Sequence, residues 1–405
     1  MLDDFGQRIR DIILSEMDLS RELSDEEICD LIGSVVSREA RDRPMTIKDR
    51  AELERTIFNS LRKLDVLQEL VDDRDVTEIM VNGPNDIFYE KAGRIQRFKG
   101  HFSSEEKLED VIQQIVGRHN RVVNQASPIV DTRLSDGSRV NIVLNPISIG
   151  GSAVSIRKFP EHPMSMERLV EIEALSPDVA RLLQILTQAK YNIFISGGTG
   201  SGKTTFLNAL SQYIPDDERI ITIEDSAELQ LLGAKNIVRL ETRNANTDGV
   251  TPITIRDLIR TALRMRPDRI IVGECRGAEA LDMLQAMNTG HDGSLSTGHA
   301  NSPQDIISRI ETMVLQGQDF PLNAIRQQIA SGIDIIVQLG RLRDKSRRVL
   351  EVSEVDGFMD GEIVLHTLYR FEETGVLDSG RIQGFLKKAG TLCHTDKLMA
   401  AGLSV

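Results

Sequence analysis

The chain has 405 residues, of which 40% are hydrophobic and 27% are charged. This is a globular composition, and at about 150 residues per domain the length predicts two or three domains. Lys and Arg total 49 and Asp and Glu total 62, so the net charge is −13. That charge argues against a protein that coats nucleic acid, although it still allows a local basic channel.

The sequence predicts a soluble cytoplasmic protein. The longest charge-free stretch, Val140–Ile156, is interrupted by Pro146 and by Gly150-Gly151, so we expect no apolar helix of about 20 residues there. The first residues, Met1–Asp4, lack the basic and apolar pattern of a secretory signal. The three cysteines are widely spaced and odd in number, which favours a reducing compartment over a disulfide framework or a zinc site.

Residues 1–70 are predicted to form a small helical bundle. Ile28–Val36 carries apolar residues at helical spacing, and Ser24 with Glu27 forms a capping-box pattern just before it. Arg41–Pro44 breaks the pattern, and a further helix is predicted from Lys48 to Leu70. A module that docks a partner protein is an alternative that the sequence leaves open.

Residues 71–160 are predicted to form an α+β domain. A helix is expected from Ser104 to Gly117, and Asp136-Gly137 indicates a hairpin between two strand-like runs, Ile129–Arg133 and Arg139–Leu144. The strands expected before the helix are Glu78–Val81, Ile87–Tyr89 and Ile95–Phe98.

Residues 161–345 are predicted to form a parallel α/β domain, because strand-like and helix-like segments alternate there. Pro160 and Pro163 indicate a linker before this domain.

Residues 346–405 are predicted to form a C-terminal β-hairpin and a tail. The Asp360-Gly361 turn lies between two strand-like runs, Arg348–Val355 and Glu362–Tyr369. The pattern assigns no element to the last 35 or so residues.

A phosphate-binding loop is the strongest chemical signal in the sequence. The segment Gly197–Thr204 matches GxxxxGK[ST], with an apolar strand Ile193–Ile195 before it and a helix-like segment Thr205–Tyr213 after it. Glycines let the backbone wrap a polyphosphate, and the helix N-terminus directs N–H groups at it. Lys203 is suited to bind the β- and γ-phosphates and Thr204 to bind Mg²⁺. The predicted nucleotide contacts in the loop are Gly198, Thr199, Gly200, Ser201, Gly202, Lys203, Thr204 and Thr205.

Acidic residues follow two later strands. Glu224, Asp225 and then Glu228 come after the predicted strand Arg219–Ile223. Glu274 directly follows the predicted strand Arg269–Gly273. Because the carboxyl ends of parallel strands meet at the ligand crevice, we expect both sets to face the γ-phosphate. A carboxylate there can hold Mg²⁺ or activate the attacking water. The candidate magnesium ligands are Thr204, Glu224, Asp225 and Glu274.

His299 and several arginines complete the candidate site. His299 follows a short strand at Ser294–Thr297, and a purely structural role is its alternative. A planar, permanent cation suits the spread charge of a phosphoryl-transfer transition state. As a group, the arginines indicate a nucleotide bound between domains or between subunits. These arginines are Arg256, Arg260, Arg264 and Arg266 before the Glu274 strand, and Arg133, Arg139 and Arg157 in the α+β domain.

Four ordered sequence blocks resemble the Walker A, Asp-box, Walker B and His-box motifs of secretion ATPases of the type II/type IV superfamily. Within that superfamily, Asp131–Val140 and Ile156–Phe159 resemble the CpaF branch, which powers tight-adherence (Tad) pili. The four blocks are Gly197–Thr205, Ile223–Glu228, Arg266–Glu274 and Thr289–Pro303.

The resemblance implies a RecA-like P-loop ATPase domain behind a PAS-like α+β domain and a leading helical bundle. It implies a homo-hexamer that hydrolyses ATP with Mg²⁺, is peripheral at the inner membrane, and drives pilin assembly indirectly through platform proteins of that membrane. Glu228 and Glu274 would act on the attacking water and Mg²⁺, and His299 would sense the γ-phosphate. The arginines supplied across a domain or subunit boundary would be Arg133, Arg139, Arg157 and Arg264.

Two other functions fit parts of the sequence. A DNA-translocating motor for conjugation or type IV secretion is one, although the acidic charge leads us to expect no stable nucleic-acid binding. A nucleotide-dependent switch with negligible hydrolysis is the other, and the two acidic sets argue against it.

Overall fold

The computed structural model describes residues 4–17, 21, 23–40, 45–91, 93–118, 122–159, 163–243 and 251–405. The chain divides into two compact units, Met1–Glu161 and His162–Val405. The predicted break at Arg41–Pro44 and the predicted linker residue Pro160 lie outside the described residues. The division at residues 70, 160 and 345 stays a prediction.

In the described part of the first unit, four helices precede one antiparallel sheet, and a fifth helix lies between the third and fourth strands of that sheet. The sheet order is β3-β2-β1-β6-β5-β4, and α5 packs Leu108 and Ile112 against Ile79 and Val154. The bounds of the helices are α1 Asp4–Glu16, α2 Asp25–Glu39, α3 Ile47–Arg62, α4 Leu67–Asp72 and α5 Glu105–Gly117. The bounds of the strands are β1 Val76–Asn82, β2 Ile87–Lys91, β3 Arg94–Arg97, β4 Ile129–Arg133, β5 Arg139–Val143 and β6 Ala153–Arg157.

The predicted helix from Lys48 to Leu70 is wrong as a single element. The structure has α3 and then the short α4, because the C-cap Lys63 is extended and Asp65 adopts a φ of 51° between the two helices, a left-handed conformation that a helix does not contain. The capping box before α2 is present, since Ser24 Oγ accepts from Glu27 N and the Glu27 carboxylate accepts from Ser24 N.

The second unit is a mixed α/β fold around a nine-stranded sheet, as the alternating pattern predicts. The order is β15-β14-β13-β12-β7-β11-β10-β8-β9, and the strands from β12 to β9 run parallel. The helices are α6 Met166–Glu171, α7 Pro177–Gln188, α8 Lys203–Ser211, α9 Ile255–Ala262, α10 Glu279–Asn288, α11 Pro303–Gly317, α12 Leu322–Gly332 and α13 Asp396–Ala401. The strands are β7 Ile193–Gly197, β8 Arg219–Glu224, β9 Asn236–Glu241, β10 Arg269–Val272, β11 Leu295–Gly298, β12 Ile335–Arg341, β13 Arg347–Met359, β14 Glu362–Val376 and β15 Ile382–Lys388.

Buried apolar residues on both faces keep the central strands of this sheet rigid. Ile193 and Ile195 of β7 pack with α7 and α8, whereas Phe194 packs on the opposite face with α10 and α11. All five residues of β7 are buried. This double burial is what a parallel sheet requires, and it fixes the strand end from which the phosphate loop begins.

The segment predicted as a separate C-terminal hairpin continues the same sheet. Strand β13 pairs with β12, and β14 and β15 extend the sheet by further antiparallel pairing. Beyond β15, Glu354 accepts hydrogen bonds from the backbone N–H groups of Cys393 and His394. These contacts attach the chain before α13 to β13.

Of the described helices, none combines the length and the apolarity needed to span a bilayer.

Candidate nucleotide site

The loop between β7 and α8 has the geometry of a phosphate cradle. Gly200 and Gly202 adopt φ values of 71° and 93°, a left-handed conformation that glycine adopts without a steric penalty. Gly202 is the N-cap of α8, and Lys203 and Thr204 open the helix. The N–H groups of the first helical turn therefore have no partner within the helix and face the loop, where an anion would bind.

Lys203 is buried at the centre of the loop. Its Nζ donates to the carbonyl oxygens of Gly197 and Gly198 at 3.0 and 3.1 Å, and it lies 3.3 Å from Nδ1 of His299. Burial lowers the pKa of Lys203, while the Glu274 carboxylate opposes that shift. The ammonium is thus held over the loop by neutral acceptors.

His299 connects Lys203 to Glu274. Nε2 of His299 lies 2.6 Å from Oε1 of Glu274, yet that buried oxygen accepts no well-aligned hydrogen bond within the described residues. Burial, followed by the charge of Lys203, lowers the pKa of His299. The ring is therefore neutral at pH 7, with Nδ1 accepting from Lys203 and the proton on Nε2 facing Glu274.

Arg276 holds the other oxygen of Glu274 and links the two acidic sets. Its Nη2 donates to Glu274 Oε2 at 2.6 Å, and its Nη1 lies 3.9 Å from Asp225 Oδ2. Asp225 in turn accepts from Thr242 Oγ1 at 2.7 Å. A continuous series of polar contacts thus runs along the carboxyl edge of the sheet from Thr242 to Glu274.

Glu224 positions the backbone that carries Glu228. It is buried, and its Oε1 accepts from the backbone N–H groups of Glu228 and Leu229 at 2.8 and 2.9 Å. A Cβ at Gly273 would lie 2.8 Å from Glu224 Cγ, so only glycine allows the residue before Glu274 to pack this closely. Glu228 itself is half-buried beside this cluster.

Thr204 with Glu274 or Glu224 fits Mg²⁺. The described residues contain no group of three His, Cys, Asp or Glu side chains arranged to hold a metal, so phosphate oxygens and water would supply most ligands, as is usual for Mg²⁺. Thr204 lies at the start of α8, and Oε1 of Glu274 lacks an aligned partner. Oε1 of Glu224 already accepts two N–H groups, so its buried Oε2 is the oxygen that could serve as a ligand. The ligand set stays a prediction.

The arginine candidates separate into three locations. Arg256 and Arg260 both bind Asp282 on α10, at 2.7 and 2.9 Å, which gives them a structural role. Arg264 follows α9 and lies at the amino edge of the sheet, where Arg219 at the start of β8 donates to the carbonyl oxygen of Met265. The phosphate loop is at the opposite, carboxyl edge.

Arg266, two residues beyond Arg264, adopts a φ of 55° before β10. The other arginine candidates are in the first unit. Arg133 ends β4, Arg139 begins β5 and Arg157 ends β6, and the pairing Arg133↔Arg139 and Arg139↔Arg157 places the three side by side. Their predicted roles toward nucleotide stay predictions.

Sequence reasoning missed several polar residues around the loop. Arg276 directly follows the predicted Glu274 strand, so its proximity was a usable signal. Arg309 on α11 lowers the pKa of both Lys203 and His299, and Arg347 on β13 lies against Gly202. Only the packing of distant segments brings these last two to the loop.

Comparisons with known proteins show the family of the chain. A family model described as type II/IV secretion system protein matches residues 60–381. The conjugal transfer protein TrbB of Rhizobium radiobacter is 31% identical over 332 residues, which cover 81% of this chain and 98% of TrbB. The type IV secretion system protein PtlH of Bordetella pertussis is 33% identical over 320 residues, which cover 73% of this chain and 94% of PtlH.

A solved structure shares the fold. The ATPase DotB of Legionella pneumophila superposes with a TM-score of 0.53 at 21% identity, over 73% of this chain and 80% of DotB. Since the family model covers most of the chain, including the phosphate loop, Glu274 and His299, the chain belongs to the type II/IV secretion system protein family.

Proposed function

We propose that the protein is an ATP-hydrolysing motor of a secretion or pilus-assembly machine. The observation that carries this proposal is the contact series from Lys203 through His299 to Glu274 at the phosphate loop. It joins a phosphate-binding cation to a carboxylate that has a buried oxygen without an aligned partner. A nucleotide switch with negligible hydrolysis would not need such a carboxylate.

In this proposal each group has one task. The loop N–H groups and Lys203 bind the β- and γ-phosphates, while Glu274 orients the attacking water and accepts its proton. His299 senses the γ-phosphate, because its Nδ1 shares Lys203 with the phosphate. Mg²⁺, held by Thr204 with Glu274 through water, would neutralise charge on the phosphate oxygens. Glu228 is a second carboxylate at the same edge.

Arg276 keeps Glu274 in place. Its bond to Oε2 leaves Oε1 on the side of His299, at 2.6 Å from Nε2, so Arg276 is a positioning residue in this scheme. Arg264, at the amino edge, would act on the nucleotide of a neighbouring subunit, as would Arg133, Arg139 and Arg157 across a domain or subunit boundary. These roles require a ring, and we propose a homo-hexamer.

The finer assignment is a CpaF-type motor for Tad pili. The segments Asp131–Val140 and Ile156–Phe159 support it by their resemblance to that branch. Such a motor would be peripheral at the inner membrane, bind platform proteins of that membrane, and act on pilin through them.

Two variants test the site. Lys203→Ala is expected to weaken ATP binding, whereas Glu274→Gln is expected to retain binding and to lower turnover by about 10²–10⁴-fold. Equilibrium binding of a fluorescent ATP analogue and steady-state phosphate release measure the two effects. The matched controls are Lys235→Ala and Glu171→Gln, both on exposed side chains. Normal hydrolysis by both site variants would refute the assignment.

A DNA-translocating conjugation motor is the second candidate. The similarity to TrbB, a protein named for conjugal transfer, favours it, and the net charge of −13 disfavours it. Salt-sensitive binding of DNA in fluorescence anisotropy, together with DNA-stimulated phosphate release, would support this candidate over a pilus motor.

A further inference from the structure

Two arginines lie directly opposite each other next to the phosphate loop. Arg341 ends β12 and Arg347 begins β13, and the two residues are partners in the antiparallel register. Both are exposed. Residues directly opposite in an antiparallel pair project from the same face of the sheet, where like charges destabilise each other.

Arg341 and Arg347 project from the face of the sheet that α8 covers. Leu339 and Val349, each two residues from an arginine along its strand, belong to the same buried hydrophobic cluster as Phe206 and Leu207 of α8. Because side chains alternate along a strand, residues two apart share a face. The arginine pair therefore lies on the side of the sheet where α8 begins.

Arg347 lies beside the phosphate loop. Cδ of Arg347 lies 3.5 Å from the position that a Cβ would occupy on Gly202, the N-cap of α8. The guanidinium extends beyond Cδ, so it lies within reach of an anion held at this helix N-terminus. An anion there would meet both arginines and the partial positive charge of α8.

The neighbouring arginines already have acidic partners. Among the described residues of this part of the sheet, Arg343, Arg348, Arg370 and Arg381 each pair with a glutamate. Within the same described segments, the side chains of Arg341 and Arg347 have neither a hydrogen bond nor an ion pair. The repulsion between them is thus left uncompensated by the protein.

Strand order indicates which phosphate is involved. His299 and Glu274 follow β11 and β10, on one side of β7, whereas β12 and β13 lie on the other side. A nucleotide with its γ-phosphate toward His299 and Glu274 has its α-phosphate toward the arginine pair. This direction rests on the proposed function, because it assumes a nucleoside triphosphate on the loop.

We propose that Arg341 and Arg347 bind the α-phosphate of the nucleotide. The pair supplies the positive charge at the end of the loop that Lys203 does not reach, and the α-phosphate removes the repulsion between the two guanidinium groups. Arg347, which lies beside Gly202, carries the larger share of the binding.

The test uses the full chain with Arg347→Gln and Arg341→Gln, and Arg343→Gln as the matched control. Arg343 belongs to the same hairpin but is paired with Glu373. We expect Arg347→Gln to weaken fluorescent-ADP binding by about ten- to a hundredfold, Arg341→Gln to weaken it less, and the control to bind normally. ADP affinities within twofold of the unmodified chain for both site variants would overturn the proposal.

Two further readouts keep the result independent of folding. Removing one like charge is expected to keep or raise the Tm of the nucleotide-free protein while reducing the rise that ADP produces. Displacement of fluorescent ADP by tripolyphosphate is expected to weaken by the same factor, since the contact is to phosphate. A variant with a lower Tm but an undiminished ADP-induced rise in Tm would overturn the α-phosphate assignment. So would a variant that loses affinity for ADP but not for tripolyphosphate.

Lys203→Ala separates this proposal from the proposed function. If the unmodified chain fails to bind ADP, or Lys203→Ala binds it normally, the nucleotide site itself is refuted and the arginine proposal with it. If Lys203→Ala loses binding while both arginine variants retain it, only the arginine proposal is refuted.

Discussion

At the scale of single residues, the protonation of His299 decides how Lys203 and Glu274 are joined. Nδ1 accepts from Lys203 only while the ring is neutral, and Nε2 then carries the proton that faces Glu274. Protonating Nδ1 would place two cations against each other at 3.3 Å. The neutral ring is therefore the state in which the series of contacts exists.

This arrangement predicts a particular pH dependence. Burial and Lys203 lower the pKa of His299 below its ordinary value of 6.5. The stabilisation supplied by the neutral ring is fully present above that value and is lost as the pH falls below it toward the lowered pKa. We expect kcat to be flat just above pH 6.5 and to decline only on the acid side.

His299→Gln tests the origin of that decline. The amide cannot take up a proton, so the variant is expected to lose the acid decline attributed to His299, although its kcat is lower throughout. His394→Gln, on an exposed histidine paired with Asp356, is the control. A kcat–pH profile of His299→Gln that declines over the same acid range as that of the unmodified chain would contradict this assignment.

At the scale of elements, the turn between β12 and β13 is stabilised by one carboxylate. Desolvation alone would raise the pKa of Asp344, but hydrogen bonds from Ser346 and from the backbone N–H of Ile382 lower it to about 2. The turn is thereby attached to the start of β15. The stabilisation that the ionised Asp344 carboxylate gives the turn is present above its ordinary pKa of 3.8. It is lost as the pH falls toward the lowered pKa of about 2.

Asp344→Ala is expected to loosen this turn and to weaken ADP binding, because β13 begins with Arg347 directly after it. Hydrogen exchange of peptides covering residues 340–350 should become faster, while exchange in α8 stays unchanged. Ser346→Ala, which removes only one of the hydrogen bonds, should have a smaller effect. Faster exchange in the turn with unaltered ADP affinity would contradict the link between the turn and the nucleotide.

At the scale of the whole molecule, Arg264 and the phosphate loop lie at opposite edges of one sheet. If Arg264 acts in hydrolysis, it must act on the nucleotide of another subunit. A ring should then be detectable as a native mass of six chains in the presence of a non-hydrolysable ATP analogue.

Mixed rings test this arrangement. Arg264→Ala and Lys203→Ala chains are each expected to be inactive alone, but mixing them creates interfaces with an intact loop on one subunit and an intact Arg264 on the next. Phosphate release by the mixture should exceed that of either variant. Mixing Lys203→Ala with Glu274→Gln is the control, because both changes affect the same edge of the sheet. No gain from the first mixture would exclude a role for Arg264 across the interface.

The sequence identifies the groups that lie close to each other along the chain. Lys203 could be predicted because strand, glycine loop and helix are contiguous, and Glu274 because a strand ends directly before it. The break between α3 and α4 was missed because the apolar spacing continues through it, whereas Lys63 is extended and Asp65 is left-handed. Arg347 had no local signal, since only strand pairing through β12 and the packing of α8 bring it to Gly202.

The contacts from Thr242 through Asp225, Arg276 and Glu274 to His299 connect the outermost parallel strand, β9, with the centre of the sheet. A force that displaced β9 would be transmitted through side chains to Glu274, the carboxylate that we propose activates water. Hydrolysis would then respond to mechanical load at one border of the second unit, which is a property that a motor needs in order to stall when its cargo stops moving.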